Sequence, residues 1–317
     1  MQPLCVTSET RLSRPGVLVG LCAASIGALY TVFARYGIAH GLTPWDLTFL
    51  RFAVAGLITL PVLVWLLRTE LSVMRAHWGR WAAVALLAGP LFGLFMFGAL
   101  YFAPPSHAAV FPFTAMSVMG LIMSAIFLGD RITLRKTVGV IIVVMGLTVL
   151  AGLSAASLHG RALLGDLLFI TAGTLWAGFG VVLRKYKLNP LAATAVISFV
   201  ALVTYVPVYL LLGGASNLTQ VPVGVLLTEV LVQGVIAGGG TLYTYSKMVS
   251  LLGPARAAVF PALAPGIAAL MAWPVLGHVT GSAELIGLLL AVVGLIISVT
   301  TFRLTPNFSF HTSKALP

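Results

Sequence analysis

Charge is what this sequence has least of. Lys, Arg, Asp and Glu make up 8% of the 317 residues, against about a quarter of an ordinary soluble domain, so the solvated surface of a soluble globular protein of this length is missing. Cysteine is nearly absent as well. The two thiols, Cys5 in the polar N-terminal segment and Cys22 in an apolar run, exclude a disulfide framework and a cysteine-based metal site. No His-Glu-x-x-His, no Gly-x-Ser-x-Gly and no cluster of carboxylates occurs, which removes the common apparatus of an enzyme and leaves no metal or cofactor site to assign. No Walker motif is present either, so the sequence carries no recognisable ATP-hydrolysing site. An integral-membrane enzyme or sensor without transport activity remains as the alternative class.

What is present is apolar. Hydrophobic residues supply 60% of the chain and the mean hydropathy is +1.08. A spanning helix needs about 20 mainly apolar residues. Runs of that kind, bounded by turn or charge signals, fall at 16–36, 46–67, 81–102, 105–128, 137–153, 162–183, 191–212, 224–247, 255–276 and 283–302. The expected fold is an all-α membrane protein with ten transmembrane helices. The N-terminal segment lacks a cleavage pattern and is expected to stay as a tail over residues 1–15, with a second tail at 303–317.

The net charge of +11 would point to nucleic acid in a soluble protein; here it follows from the loops and implies no nucleic-acid partner. If the N-terminus is cytoplasmic, fifteen of the eighteen basic residues fall inside: Arg11, Arg14, Arg68, Arg75, Arg80, Arg131, Arg135, Lys136, Arg184, Lys185, Lys187, Lys247, Arg256, Arg303 and Lys314. Outside are Arg35 and Arg161, with Arg51 inside helix 2. Cytoplasmic loops collect Lys and Arg, so the expected location is the inner membrane, multi-pass, with both termini cytoplasmic.

The sequence also repeats itself. PSHAAVFP at 105–112 returns as PARAAVFP at 254–261, LGD at 128–130 as LGH at 276–278, Gly139 as Gly287, and VMGL at 144–147 as VVGL at 292–295. Pro44 and Pro190 likewise follow helices 1 and 6. Two five-helix units are expected, residues 16–153 and 154–302. An odd number of spans per unit inserts the second upside down relative to the first. The loops agree: DRITLRK at 130–136 is basic and its counterpart HVTGSAE at 278–284 is bare, and the basic linker 68–80 matches a bare 213–222. Within the repeated phrase, His107 and Arg256 read as interfacial residues at helix starts on opposite faces.

These features together resemble the drug/metabolite transporter superfamily, in particular its ten-helix EamA-type members. The likeness rests on Pro44 followed by Arg51 in helix 2, AAVFP in helix 4, LGD with Arg131 after it, Trp176 in helix 6 and the second AAVFP in helix 9. Tyr30 stands where the family often has Trp, His278 stands opposite Asp130, and Ile197 opposite Arg51. The resemblance implies an alternating-access carrier of small metabolites such as amino acids, often an exporter, with its pocket between the repeats. Its partners would be the substrate and the bilayer, with protons as one candidate coupling ion.

Candidate substrate-binding residues follow from physical arguments. Pro112 and Pro261 each remove a backbone bond about two turns into a helix and invite a kink. Arg51 and Glu229 are intramembrane charges, which function usually retains; Arg51 can also snorkel to the interface, and Glu229 can pair with it. Gln233 shares a face with Glu229 one turn later. Tyr30, Trp176, Tyr243 and Tyr245 are aromatic candidates, of which Tyr30, Trp176 and Tyr243 are taken with the site. Asp166 reads as a charge favoured by a helix N-terminus. The spacings Gly89/Gly93 and Gly234/Gly238 read as close helix packing.

Overall fold

The computed structural model describes residues 14–103, 105–152, 160–276 and 281–299, with the backbone alone at 70–74, 105–106 and 272–276. Cys5, Arg11, His278, Arg303 and Lys314 lie outside the described residues. Helices α1 (Arg14–Ala39) and α2 (Pro44–Ala76) are followed by α3, which is broken into Trp78–Ala88 and Pro90–Gly98. Then come α4 (Pro105–Leu128), α5 (Leu134–Leu150), α6 (Ala162–Lys185) and α7 (Pro190–Leu211). Helix α8 has three parts, Val223–Glu229, the π-helical Val230–Gly239 and Gly240–Leu252. Helix α9 begins as a single turn, Pro254–Ala257, passes through a 3-10 turn, Phe260–Leu263, and continues as Ala264–Leu276; α10 is Ser282–Val299. Nine of these are long and apolar enough to cross a bilayer, and the tenth, α5, has 17 residues.

Local chemistry sets the breaks. Before α2, Thr43 and Asp46 form a reciprocal capping box, the carboxylate accepting from the Thr43 amide at 2.7 Å and the Thr43 hydroxyl accepting from the Asp46 amide at 3.3 Å, with Pro44 in the first helical position. Before α7, Asn189 Oδ1 accepts from the Leu191 amide at 2.8 Å, again with Pro at the first position. Gly89 breaks α3 because Pro90 disfavours helical backbone at the residue before it. Residues 68–76, expected in a linker, extend α2, and His77 alone separates it from α3.

The two halves pack through each other. Helix α5 lies on α10 and α2 on α7, and each pair joins corresponding helices of the two repeats. The remaining contacts exchange when the halves are exchanged: α6 packs on α3 and α4 as α1 packs on α8 and α9. Glycine positions give the direction. A Cβ on Gly139 would meet the Gly294 carbonyl at 2.7 Å, and one on Gly146 would meet the Gly287 carbonyl at the same distance. Since 139 precedes 146 while 294 follows 287, α5 and α10 run antiparallel. Gly56 of α2 faces Ser198 and Leu202 of α7, while Trp45 near the α2 start takes a hydrogen bond from Tyr205 near the α7 end at 3.0 Å, so this pair is antiparallel too. Corresponding helices running in opposite directions are the signature of an inverted duplication.

Basic residues gather at one end. Arg80 sits over the Tyr186 ring at 4.5 Å, and Lys185 lies 5.9 Å from the Phe127 ring, which brings together the α2–α3, α6–α7 and α4–α5 junctions. Polar residues of the other sign, Asp46 and Asp166, lie toward the opposite end.

The repeated phrase does not fold the same way twice. Pro112 sits inside an unbroken α4, whereas α9 loses its helix between Ala257 and Phe260. The expectation of two interrupted helices is therefore corrected for Pro112. Its carbonyl is accommodated by Gly173 of α6, where any Cβ would collide with it. In α9 the break leaves the Ala258 carbonyl facing α4, where Ser117 Oγ donates to it at 3.4 Å.

Replacing Gly146 by Val puts side-chain atoms into the Gly287 backbone, and overpacking of this kind costs about 1–3 kcal/mol. Thermal unfolding in detergent is expected to fall for Gly146→Val. Gly79, which has open space around it, serves as control, Gly79→Ala changing stability by no more than about 0.5 kcal/mol.

Candidate functional site

A small cavity lies at the centre, where both repeats contribute. Tyr30 of α1, Phe92 of α3, Phe113 and Met116 of α4, Trp176 of α6, Thr241 and Tyr245 of α8 and Pro261 of α9 line it. The aromatic rings form one cluster: Trp176 lies 4.6 Å from Phe92, 5.0 Å from Tyr245 and 5.5 Å from Phe179. The cavity volume is about 30 Å³, roughly one water's share of the liquid. No amino-acid-sized molecule fits, so this conformation is closed around its centre. Two hydroxyls at the wall, Thr241 Oγ1 and Tyr245 OH, are buried without a hydrogen-bond partner.

Beside the cavity is a second group, between α1, α2 and α8. Tyr30 belongs to both, since the Arg51 guanidinium stacks over its ring at 4.9 Å. Arg51 is 1% exposed and does not snorkel to the interface. Its Nε and Nη1 have no hydrogen-bond partner. Glu229 is fully buried; its neighbours are the Gly37 backbone and the Gln233 side chain, neither in hydrogen-bonding geometry with its oxygens. The expected pairing of Glu229 with Arg51 does not occur. Gln233 donates Nε2–H to the Tyr30 carbonyl at 2.9 Å and leaves Oε1 unpaired. Buried polar atoms without partners are rare because each loses its hydration for nothing, and here they collect around two turns of α1.

Glycine explains how α2 and α8 come so close. A Cβ on Gly238 would meet the Arg51 carbonyl at 2.6 Å, and one on Gly234 would meet Val54 at 2.5 Å. The expected small-residue packing thus holds for this pair. In the other pair a Cβ on Gly93 would meet Thr48 at 3.1 Å, but Gly89 serves the break in α3.

The structure turns Tyr243 to the exterior, 41% exposed, and Tyr245 to the core, 2% exposed. On a regular helix of about 100° per residue, Tyr243 would share the face of Glu229 and Gln233 and Tyr245 would oppose it. The π-helical stretch Val230–Gly239 intervenes. Its i→i+5 bonding takes up extra residues and rotates everything after it, so Tyr245 and Thr241 replace Tyr243 at the cavity wall. Pro112 also lies off the cavity, at the α4–α6 contact, while its neighbour Phe113 lines it.

Two polar groups carry more than their sequence positions suggested. His107 is fully buried, not interfacial, and its Nδ1 lies 2.7 Å from Asp166 Oδ1. Asp166 therefore serves a buried hydrogen-bonded contact between α4 and α6 and is not simply a helix-terminal charge. Asp46 accepts from Thr43 Oγ1 at 2.8 Å, from Tyr209 OH and from Asn217 Nδ2, tying α2 to the far end of α7 and the turn that follows. The TPWD tetrapeptide signals the cap; nothing local signals Tyr209 and Asn217. No group of three or more His, Cys, Asp or Glu side chains suited to a metal occurs among the described residues.

The EamA-like transporter family matches residues 14–152 and again residues 163–300. A probable amino-acid metabolite efflux pump of Salmonella typhimurium is 26% identical over 304 residues, covering 92% of this chain and 97% of its own. An uncharacterized transporter of Bacillus subtilis is 23% identical over 302 residues, covering 92% and 94%. A crystal structure superposes with a TM-score of 0.70 at 20% identity, over 91% of this chain and 97% of the other.

Tyr245→Ala is expected to lower stability by about 3–5 kcal/mol, as for other large core rings. Tyr243→Ala is expected to change it by less than about 0.5 kcal/mol. Equal losses for the two in a detergent unfolding assay would contradict the rotation of α8.

Proposed function

Because this chain belongs to the EamA-like transporter family and is thus a multi-pass membrane transporter, we propose that it is a secondary carrier exporting small metabolites, amino acids or related compounds, by alternating access. The observation that carries this reading is the pair of buried, oppositely charged groups, Arg51 and Glu229, that leave polar atoms unpartnered beside the aromatic cavity. An α-amino acid brings a carboxylate and an ammonium, and these match a guanidinium and a carboxylate held apart. The name of the Salmonella relative agrees with that class.

In this mechanism Tyr30 and Trp176 are the apolar walls, and Arg51, Glu229 and Gln233 the polar determinants. Tyr30 stands at the wall with Arg51 stacked behind it, so a shift of its ring opens the cavity to the charged groups. Binding then supplies partners to atoms that have none. The repeats, residues 16–153 and 154–302, exchange conformations around the site and open it to each side in turn. Pro261 lies at the break in α9 and gives that helix its point of bending, with Pro112 as its unbroken counterpart. Tyr243 takes no part. Protons are the candidate coupling ion, and Glu229 is the group through which they would act.

Hydrogen bonds to charged groups contribute about 1.5–3 kcal/mol, or roughly 10- to 100-fold in binding. Glu229→Gln and Arg51→Gln are each expected to reach the membrane at wild-type level and to lose amino-acid counterflow in proteoliposomes by that range, with Glu229→Gln also altering the pH profile. Wild-type counterflow by both variants would remove the two charges from the site.

The basic end is proposed to face the cytoplasm of the inner membrane, with both termini on that side. A single cysteine at position 133 is expected to resist an impermeant thiol reagent applied to intact cells, and one at 281 to react. The reverse pattern would invert the topology.

A further inference from the structure

We propose that the His107–Asp166 pair is a proton-binding site that clamps α4 to α6 at the end of the molecule where both helices begin. The two residues come from different repeats, 59 positions apart, and their rings and carboxylate close a contact of 2.7 Å with both side chains buried. Each keeps one atom without a partner, His107 Nε2 and Asp166 Oδ2. Ionisable residues within membrane spans are costly to bury and commonly mark proton relays or substrate paths.

The charge balance supplies the mechanism. With a neutral imidazole, Nδ1–H donates to Asp166 Oδ1, and the pair carries one uncompensated negative charge in an apolar contact. A proton from water taken by Nε2 converts it to an imidazolium–carboxylate pair of zero net charge. The protonated clamp therefore favours α4 against α6, and the deprotonated one favours their separation, which lets water reach the carboxylate. Nε2 has no exposed surface in this conformation, so proton exchange accompanies opening of that end.

Among the described residues, no other titratable group is seen to share the contact. On α6, Arg161 is exposed and lies over the Phe102 ring at 5.9 Å. The end of α3 offers Tyr101, 60% exposed. Helix α5 carries Arg135 and Lys136 at its opposite end. Helix α9 meets α4 at Gly120, thirteen residues beyond His107, and α8 meets α6 at Gly180, fourteen beyond Asp166. The duplicated contact, α1 against α9, is built from other residues: Arg256 stands in place of His107, and Gly20, 146 positions before Asp166 as Tyr30 is before Trp176, lies under the Phe260 ring. Among the described residues the His–Asp contact occurs at one end of the inverted repeat, so protonation would bias one of the two gates.

The site itself does not depend on the substrate reading; its consequence for transport does. Hydrogen–deuterium exchange of residues 107–112 and 162–170, in nanodiscs at pH 5.5 and pH 8 and corrected for intrinsic rates, tests it without substrate. Wild-type protein is expected to exchange about tenfold more slowly at the lower pH, since proton binding favours the closed contact. His107→Gln and Asp166→Asn should each remove that difference while the α5–α10 contact keeps its protection. A pH-independent wild type, or a His107→Gln variant that keeps the pH response, would overturn the proposal. If neither variant folds, the ring signals of ¹⁵N-histidine-labelled wild type decide: a buried histidine titrating together with the exchange change supports the clamp, and none doing so overturns it. Counterflow measured in parallel separates the two claims, since its absence with an intact pH response would sink the carrier reading and leave the clamp.

Discussion

Inside a bilayer nothing but the protein can satisfy a polar atom, and that constraint organises the whole structure. Helices meet the backbone's requirement and allow close packing, and most threonines in the spans return their hydroxyl to a carbonyl one turn back, as Thr48 does to Pro44 and Thr59 to Ala55. Against that background the exceptions stand out. Arg51, Glu229, Gln233, Thr241, Tyr245, His107 and Asp166 all keep buried polar atoms without partners, as do the hydroxyls of Thr114, Ser124, Ser198 and Ser246; the first seven lie around the central cavity, around Tyr30, or at the α4–α6 contact. A molecule that needed only to be stable would have put apolar groups there.

Backbone contact through glycine is what lets two halves become one body. The α5–α10 and α2–α7 pairs each bring a helix against its own counterpart; in α5–α10 the glycines that open the contact are used in duplicate, whereas in α2–α7 Gly56 of α2 alone faces Ser198 and Leu202. Gly139 faces Gly294 and Gly146 faces Gly287. The repeats accordingly have little core of their own; the aromatic cluster around Trp176 draws on both. A cavity formed in this way changes shape whenever the halves shift, which is what an alternating-access site requires.

Duplication also shows where the halves have diverged. The same AAVFP phrase runs through an intact helix in α4 and a broken one in α9, and the difference lies in the surroundings: α4 rests on Gly173, which accepts the Pro112 carbonyl, whereas α9 starts one residue after α8 ends, at a Gly253 with φ of +81°. Likewise a titratable pair joins α4 to α6, and an apolar contact with Arg256 beside it joins α9 to α1. The two ends of the transporter are thus equal in topology and unequal in chemistry.

The sequence by itself determined the spans, their number, the duplication and the separation of basic from bare loops, because in a bilayer each depends on composition within a window of about twenty residues and not on distant contacts. It also marked Tyr30, Trp176, Arg51 and Glu229, since aromatic and charged residues are conspicuous in apolar runs. Tertiary structure alone decided that Arg51 and Glu229 stay unpaired, that His107 meets Asp166 across 59 residues, and that Asp46 holds Tyr209 and Asn217. It decided as well which tyrosine of α8 faces the cavity, because a π-helical stretch is set by how α8 packs on α1 and α2 and no local preference announces it. Periodicity can be read from a sequence only while the helix keeps its period; where packing unwinds it, the face turned inward is settled by the neighbours.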